Sequence, residues 1–177
     1  MGCIAGTRSG IDTAVSMTSS QPPPPAIRIL VDADACPVKN EIYRVAARHR
    51  VAVHIVSNSP FRVPDSPMVH RVVVSGAFDA ADDWIAEQSD SRSIVITSDI
   101  LLADRAIKSD AQVLAPTGKP FTAASIGSAI ATRAIMADLR AGVSDVTSGP
   151  APFSKADRSQ FLQALDQVLV KLARSPR

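Results

Sequence analysis

From residue 27 onward, hydrophobic positions fall into short apolar runs that alternate with stretches of helical spacing. The runs "IRILVD" (27–32), "VAVHIV" (51–56), "VHRVVVS" (69–75), "SIVITS" (93–98) and "AQVLA" (111–115) predict five strands. Helices are predicted at about 37–49, 79–89, 100–108, 122–141 and 155–174. Strands and helices taking turns along a chain predict an α/β fold with a mostly parallel central sheet. The segment "SNSPFRVPDSP" (57–67) is too short and too rich in proline for a crossover helix, which leaves the pairing sense of the third strand open. In the last helix, Ser154 and Asp157 have capping-box spacing, and Phe161, Leu162, Leu165, Val168, Leu169 and Leu172 form an apolar stripe. That helix reads as packing.

Residues 1–25 break this pattern. They are rich in Ser, Thr, Gly and Pro and end in "PPPP", so they read as a disordered leader before a single domain over 26–177, with Met17 as an alternative start. A length of 177 residues with 46% hydrophobic content suits one well-filled core. The formal charge of +2 names no partner. Two cysteines, Cys3 and Cys36, supply neither a disulfide framework nor a zinc pattern. No apolar run reaches membrane-spanning length, and the first 25 residues lack the apolar core of a secretory signal. The sequence therefore reads as cytoplasmic, with no membrane contact.

The acids carry more information. Fifteen of the 17 are Asp, a poor helix-interior residue but a good cap and a good ligand for hard metals. Asp32 and Asp34 follow the first predicted strand in "ILVDADACPV", Asp79, Asp82 and Asp83 follow the third, and Asp99 follows the fourth. In open α/β sheets, ligands bind outside the carboxyl ends of the strands, so three strand ends deliver carboxylates to one rim. Asp79 and Asp82 are three apart at a helix start and share a face. Taken singly, Asp34, Asp79 and Asp99 are each placed to cap a helix, and Asp82 and Asp83 favour a helix dipole. Asp32 escapes that reading, because it ends a strand two residues before a better cap. Gathered together, Asp32, Asp34, Asp79, Asp82 and Asp99 repel one another unless neutralised, and Mg²⁺ or Mn²⁺ is the expected neutraliser. Such a centre activates water and shields a phosphodiester's charge.

Further candidates are weaker. Gly118, Lys119 and Thr122, in "TGKPFT" before a helix, offer a phosphate site to which Arg133 is a further candidate contact. Glu41, inside the first helix, is by default exposed. Cys36 is expected to be packed, because neighbouring carboxylates disfavour a thiolate. Asp104, roughly 140° around the helix from Asp99, is left out of the metal set.

The segments "VDADACPVKNEI", "GAFDAADDWI", "VITSDILLADRAI" and "PTGKPFTAASI", in this order, resemble the YaiI/YqxD family of uncharacterised bacterial proteins, related to PIN-like nuclease domains. The likeness covers about residues 27–172. It implies a three-layer PIN-like domain and a divalent-metal-dependent ribonuclease, with RNA as substrate. Asp32 matches the acid ending the first PIN strand and Asp99 the acid of the "T-x-D" segment, which makes both catalytic candidates. Asp79 and Asp82 match the family's "G-x-D-x-x-D" spacing. The chain departs by its leader and by the helix missing between the second and third strands.

Two other classes compete. "ILVDADACPV" also resembles the D-x-D opening of haloacid-dehalogenase-type phosphatases, with Asp99 and Asp104 imitating their closing acidic pair. The lysine such sites need is missing, because none occurs between Lys39 and Lys108. The third reading is a non-catalytic RNA- or partner-binding module. Only seven aromatics (five Phe, one Trp, one Tyr), scattered along the chain, leave little for base stacking.

Overall fold

The computed structural model describes residues 26–34, 36–74, 77, 79–140 and 153–175, without the side chains of 129 and 133–140. The leader predicted over 1–25 lies outside the described residues. Five parallel strands, β1 (Arg28–Asp32), β2 (Ala52–Ser57), β3 (Val69–Val73), β4 (Ser93–Ile96) and β5 (Gln112–Leu114), are joined by a short antiparallel β6 (Pro120–Phe121). The strand order is β3-β2-β1-β4-β5-β6. The helices are α1 (Lys39–His49), α2 (Ala80–Gln88), α3 (Ile100–Lys108), α4 (Ala123–Arg140) and α5 (Lys155–Arg174).

Alternate side chains of a strand point to opposite faces, and here each face has its own core. Ile29 and Val31 of β1 pack with Val53, Ile55, Ile94 and Ile96 beneath α1 and α5, against Ile42, Val45, Phe161, Leu165 and Leu169. Leu30, Val56 and Val95 face the other way, onto Ile85 of α2, Leu102 and Ala106 of α3 and Ile126 of α4. The result is three layers, helix–sheet–helix. The capping box of α5 forms as its spacing predicted: Ser154 Oγ accepts the Asp157 N–H at 3.1 Å, and the Asp157 carboxylate accepts the Ser154 N–H at 2.8 Å.

The open question about the third strand resolves as parallel: β3 pairs with β2 from Val53↔Val69 to Ser57↔Val73, although residues 58–68 form no helix. Topology then fixes where a ligand can sit. The chain steps from β1 to β2 to β3 on one side, and α2 returns it to β4 on the other side of β1. The carboxyl ends of β1 and β4 therefore flank the switch point of strand order.

Candidate functional site

Asp32 ends β1 at that switch point and is 9% exposed. Its Oδ1 accepts the Asp34 N–H at 3.3 Å, and its Oδ2 accepts the Thr97 hydroxyl at 3.1 Å. Thr97, just past β4, also accepts the Asp99 N–H on its Oγ1 at 3.0 Å, so one buried hydroxyl ties together the ends of the two central strands. Burial pushes the Asp32 carboxyl up, against the lowering effect of these two hydrogen bonds.

The capping alternatives divide. Asp99 caps α3, accepting the N–H groups of Leu101 at 2.6 Å and Leu102 at 3.3 Å. Asp79 occupies the cap position of α2 without a side-chain cap bond. Asp34 does not cap α1. That helix starts at Lys39 behind Val38, and the Asp34 carboxylate instead accepts the buried Ser57 hydroxyl at 3.2 Å, tying the loop after β1 to the end of β2.

All five predicted aspartates line one cleft of about 490 Å³: Asp32, Asp34, Asp79, Asp82 and Asp99, with Asn58, Ala81, Leu101, Leu102 and Arg105 completing the wall. Asp83 does not line it; it forms an ion pair with Arg105 at 2.8 Å. The Asp82 carboxyl is pushed up to about 6, first by burial and then by the charges of Asp32, Asp99 and Asp79, with Arg105 acting against them. Among the described residues, no three His, Cys, Asp or Glu side chains close on a single point tightly enough to grip an ion. The carboxylates surround a cavity instead. Carboxylates grouped in this way suit a hard divalent cation that keeps several waters and binds one or two carboxylates directly, and no thiol or imidazole is among the described residues lining the cleft.

A profile described as "Uncharacterized BCR, YaiI/YqxD family" matches residues 30–171. The chain belongs to this family. A UPF0178 protein of Sphingopyxis alaskensis is 70% identical over 146 residues, covering 82% of this chain and 95% of the relative. UPF0178 proteins of Nitrobacter winogradskyi (54% over 150 residues, 85% and 95% covered) and Brucella ovis (55% over 153, 86% and 94% covered) are also similar. No solved structure matches the chain. The YaiI/YqxD match spans β1 to α5 and so includes all five aspartates of the cleft.

Other candidates fall elsewhere. Lys119 is exposed on the turn between β5 and β6 and does not line the cleft. Gly118 in that turn has φ +82°, and a Cβ there would come within 2.9 Å of the Gln160 carbonyl and Phe161 Cα, so this glycine serves the docking of α5. Thr122 exchanges hydrogen bonds with Ser125 at the start of α4, its Oγ1 accepting the Ser125 N–H at 3.1 Å. Because β6 runs back along β5, Thr122 lies toward the edge where the parallel strands begin, away from the carboxylates. The Arg133 side chain lies outside the described residues. Glu41 is buried rather than exposed, its carboxylate held by Arg158 of α5 at 3.1 and 3.2 Å. Cys36 is buried in the core, its thiol pushed up to about 11 by burial. Asp104 pairs with Lys108 at 2.7 Å, outside the cleft.

Asn58 and Arg105 are the polar cleft residues that sequence reasoning missed. Asn58 directly follows β2, at the same sheet edge that supplied the acids, but a search confined to charge passes over it. Arg105 sits within α3 with no local signal to mark it.

Proposed function

We propose that the cleft holds Mg²⁺ or Mn²⁺ and hydrolyses phosphodiester bonds in single-stranded RNA, in the manner of the PIN-like nucleases that the sequence resembles. The observation that carries this reading is the convergence of five aspartates from three strand ends on one cleft, with Asp82 pushed up by burial and then by the charges of its neighbours. Such mutual repulsion is relieved by a bound cation, which supplies charge neutralisation and lowers the pKa of a coordinated water. Asp32, Asp34, Asp79, Asp82 and Asp99 would hold it, one or two directly and the others through its waters. Thr97 fixes the Asp32 carboxylate by hydrogen bonding, and the cap to α3 fixes Asp99. Arg105 is the one cation among the described residues lining the cleft, and its side chain, 44% exposed, can exchange Asp83 for a substrate phosphate.

The phosphatase alternative loses support, because Asp104 stands outside the cleft on Lys108 and no lysine is among the described residues lining it. The deciding experiment offers a single-stranded RNA and a phosphomonoester to the protein with Mn²⁺. The nuclease reading expects RNA cleavage that chelator abolishes and an untouched monoester. Monoester turnover through a covalent aspartyl intermediate on Asp32, with the RNA intact, would replace it.

A further inference from the structure

Charge is divided unevenly around the cleft. Residues 37–73, which supply α1, β2, β3 and the loop between the two strands, carry Lys39, Arg44, Arg48, Arg50, Arg62 and Arg71 against the acids Glu41 and Asp65. Residues 74–91, which supply α2, carry Asp79, Asp82, Asp83, Glu87 and Asp90 and no Lys or Arg. On the basic side, three cations gather around Phe61. Lys39 Nζ lies 5.7 Å from the centre of its ring, Arg71 of β3 donates to its carbonyl at 2.9 Å, and Arg62 is its neighbour in the chain. Arg62 and Arg71 are exposed, and with Asp65 and Ser66 they wall an open groove of about 500 Å³. Among the described residues, none of the three cations forms an ion pair. The loop that carries Phe61 and Arg62 begins at Asn58 in the cleft wall, so the Cα atoms of Asn58 and Arg62 are at most about 14 Å apart.

Unpaired cations grouped at one place attract a polyanion, and the planar fork of Arg suits phosphate. The cleft needs such help. Its own aspartates repel phosphate, its cation Arg105 is paired with Asp83, and the α2 side repels an RNA chain as well. We propose that Lys39, Arg62 and Arg71 bind the phosphate backbone of single-stranded RNA where it leaves the cleft over the loop between β2 and β3. The proposal rests on the nuclease reading above and adds the surface that holds its substrate. Contacts of this kind position the chain and carry no base sequence.

The test follows a fluorescent single-stranded oligouridylate by anisotropy as it binds the full chain in chelator, across a salt series. Each phosphate contact on a single strand contributes about 0.7 to the slope of log affinity against log salt. Lys39→Gln/Arg62→Gln leaves the Arg71 bond to Phe61 intact and should lower that slope by about 1.4, and adding Arg71→Gln should bring the loss to about 2. Lys108→Gln/Arg174→Gln removes the same charge from the edge where the strands begin and should keep the wild-type slope. Equal losses in the two double variants would reduce the effect to net charge and overturn the assignment. A wild-type slope in every variant, or no binding by wild type, would overturn it too. Cleavage with Mn²⁺ is scored in parallel. Wild type that binds RNA through these residues but cleaves none removes the nuclease reading and keeps the surface. Cleavage by Lys39→Gln/Arg62→Gln with the wild-type KM removes the surface and keeps the nuclease reading.

Discussion

Thr97 donates its hydroxyl to Asp32 Oδ2 at 3.1 Å, and on the same oxygen it accepts the N–H of Asp99. Thr97 is 1% exposed, and its contact with Asp32 is buried. Replacing it with valine keeps the shape but leaves a buried carboxylate oxygen and a backbone N–H without this partner. Thr97→Val should therefore cost about 2 kcal/mol of stability, with Thr97→Ser recovering most of it. Chemical denaturation of the three proteins measures this. Equal midpoints would mean that the Thr97 bridge does not stabilise the fold.

Asp32 and Asp34 were expected to differ as ligand and helix cap, and the structure changes the second half. Asp34 holds Ser57, so Asp34→Ala should loosen the loop between β1 and α1 and lower the melting point by about 1 kcal/mol equivalent. Asp32→Asn is expected to lose Mn²⁺ binding, while its metal-free melting stays close to wild type, because the relief of carboxylate repulsion offsets the loss of one of the two oxygens that accept from Thr97 and the Asp34 N–H. Calorimetry and thermal melting separate the two. Wild-type Mn²⁺ affinity in Asp32→Asn would remove Asp32 from the ligand set.

Asp82 sets a pH dependence. An unfolded Asp titrates near 3.9, whereas Asp82 in the folded protein is pushed up to about 6. Between about pH 4 and 6 the folded state therefore binds more protons, and its metal-free stability falls as pH rises through that window. His54, pushed down by burial, acts in the opposite sense, so wild type alone does not isolate the effect. The difference between Asp82→Asn and wild type does. The variant's gain in melting temperature should be larger at pH 7 than at pH 5, and a gain that is the same at both would contradict the raised Asp82.

Much of the fold was legible because caps and periodicity agree. The predicted ranges of α3 and α5 coincide with the structure, and each begins at a real cap, Asp99 and Ser154. What escaped was set by contacts distant in sequence. β6 is two residues long and exists through its pairing with β5, beyond a turn whose Gly118 packs on Gln160. Glu41 carries no local sign of burial, because its partner Arg158 arrives from α5. The five cleft aspartates were found because the sheet's carboxyl edge can be located from strand order along the chain. That Lys119 and Thr122 lie away from the cleft was not legible, because it follows from the antiparallel return of β6.

The Glu41–Arg158 pair gives a control remote from metal chemistry. Arg158→Ala leaves the carboxylate, 11% exposed, without this ion-pair partner, and should cost roughly 2 kcal/mol, reduced from a fully buried pair because Arg158 is 41% exposed. Denaturation measures the cost. Mn²⁺ affinity should stay within twofold of wild type, and a tenfold loss would return Glu41 to the surroundings of the metal.

The central claim is that one cleft at the β1/β4 switch point holds a divalent cation. A crystal soaked in Mn²⁺ tests it directly through the anomalous signal of the metal. The account predicts a peak inside the cleft within about 2.0–2.3 Å of an Asp32 oxygen, with at least one further aspartate among Asp34, Asp79, Asp82 and Asp99 facing it directly or through water. A cleft with no anomalous peak at saturating Mn²⁺, or peaks confined to surface carboxylates such as Asp83 and Asp104, would contradict it.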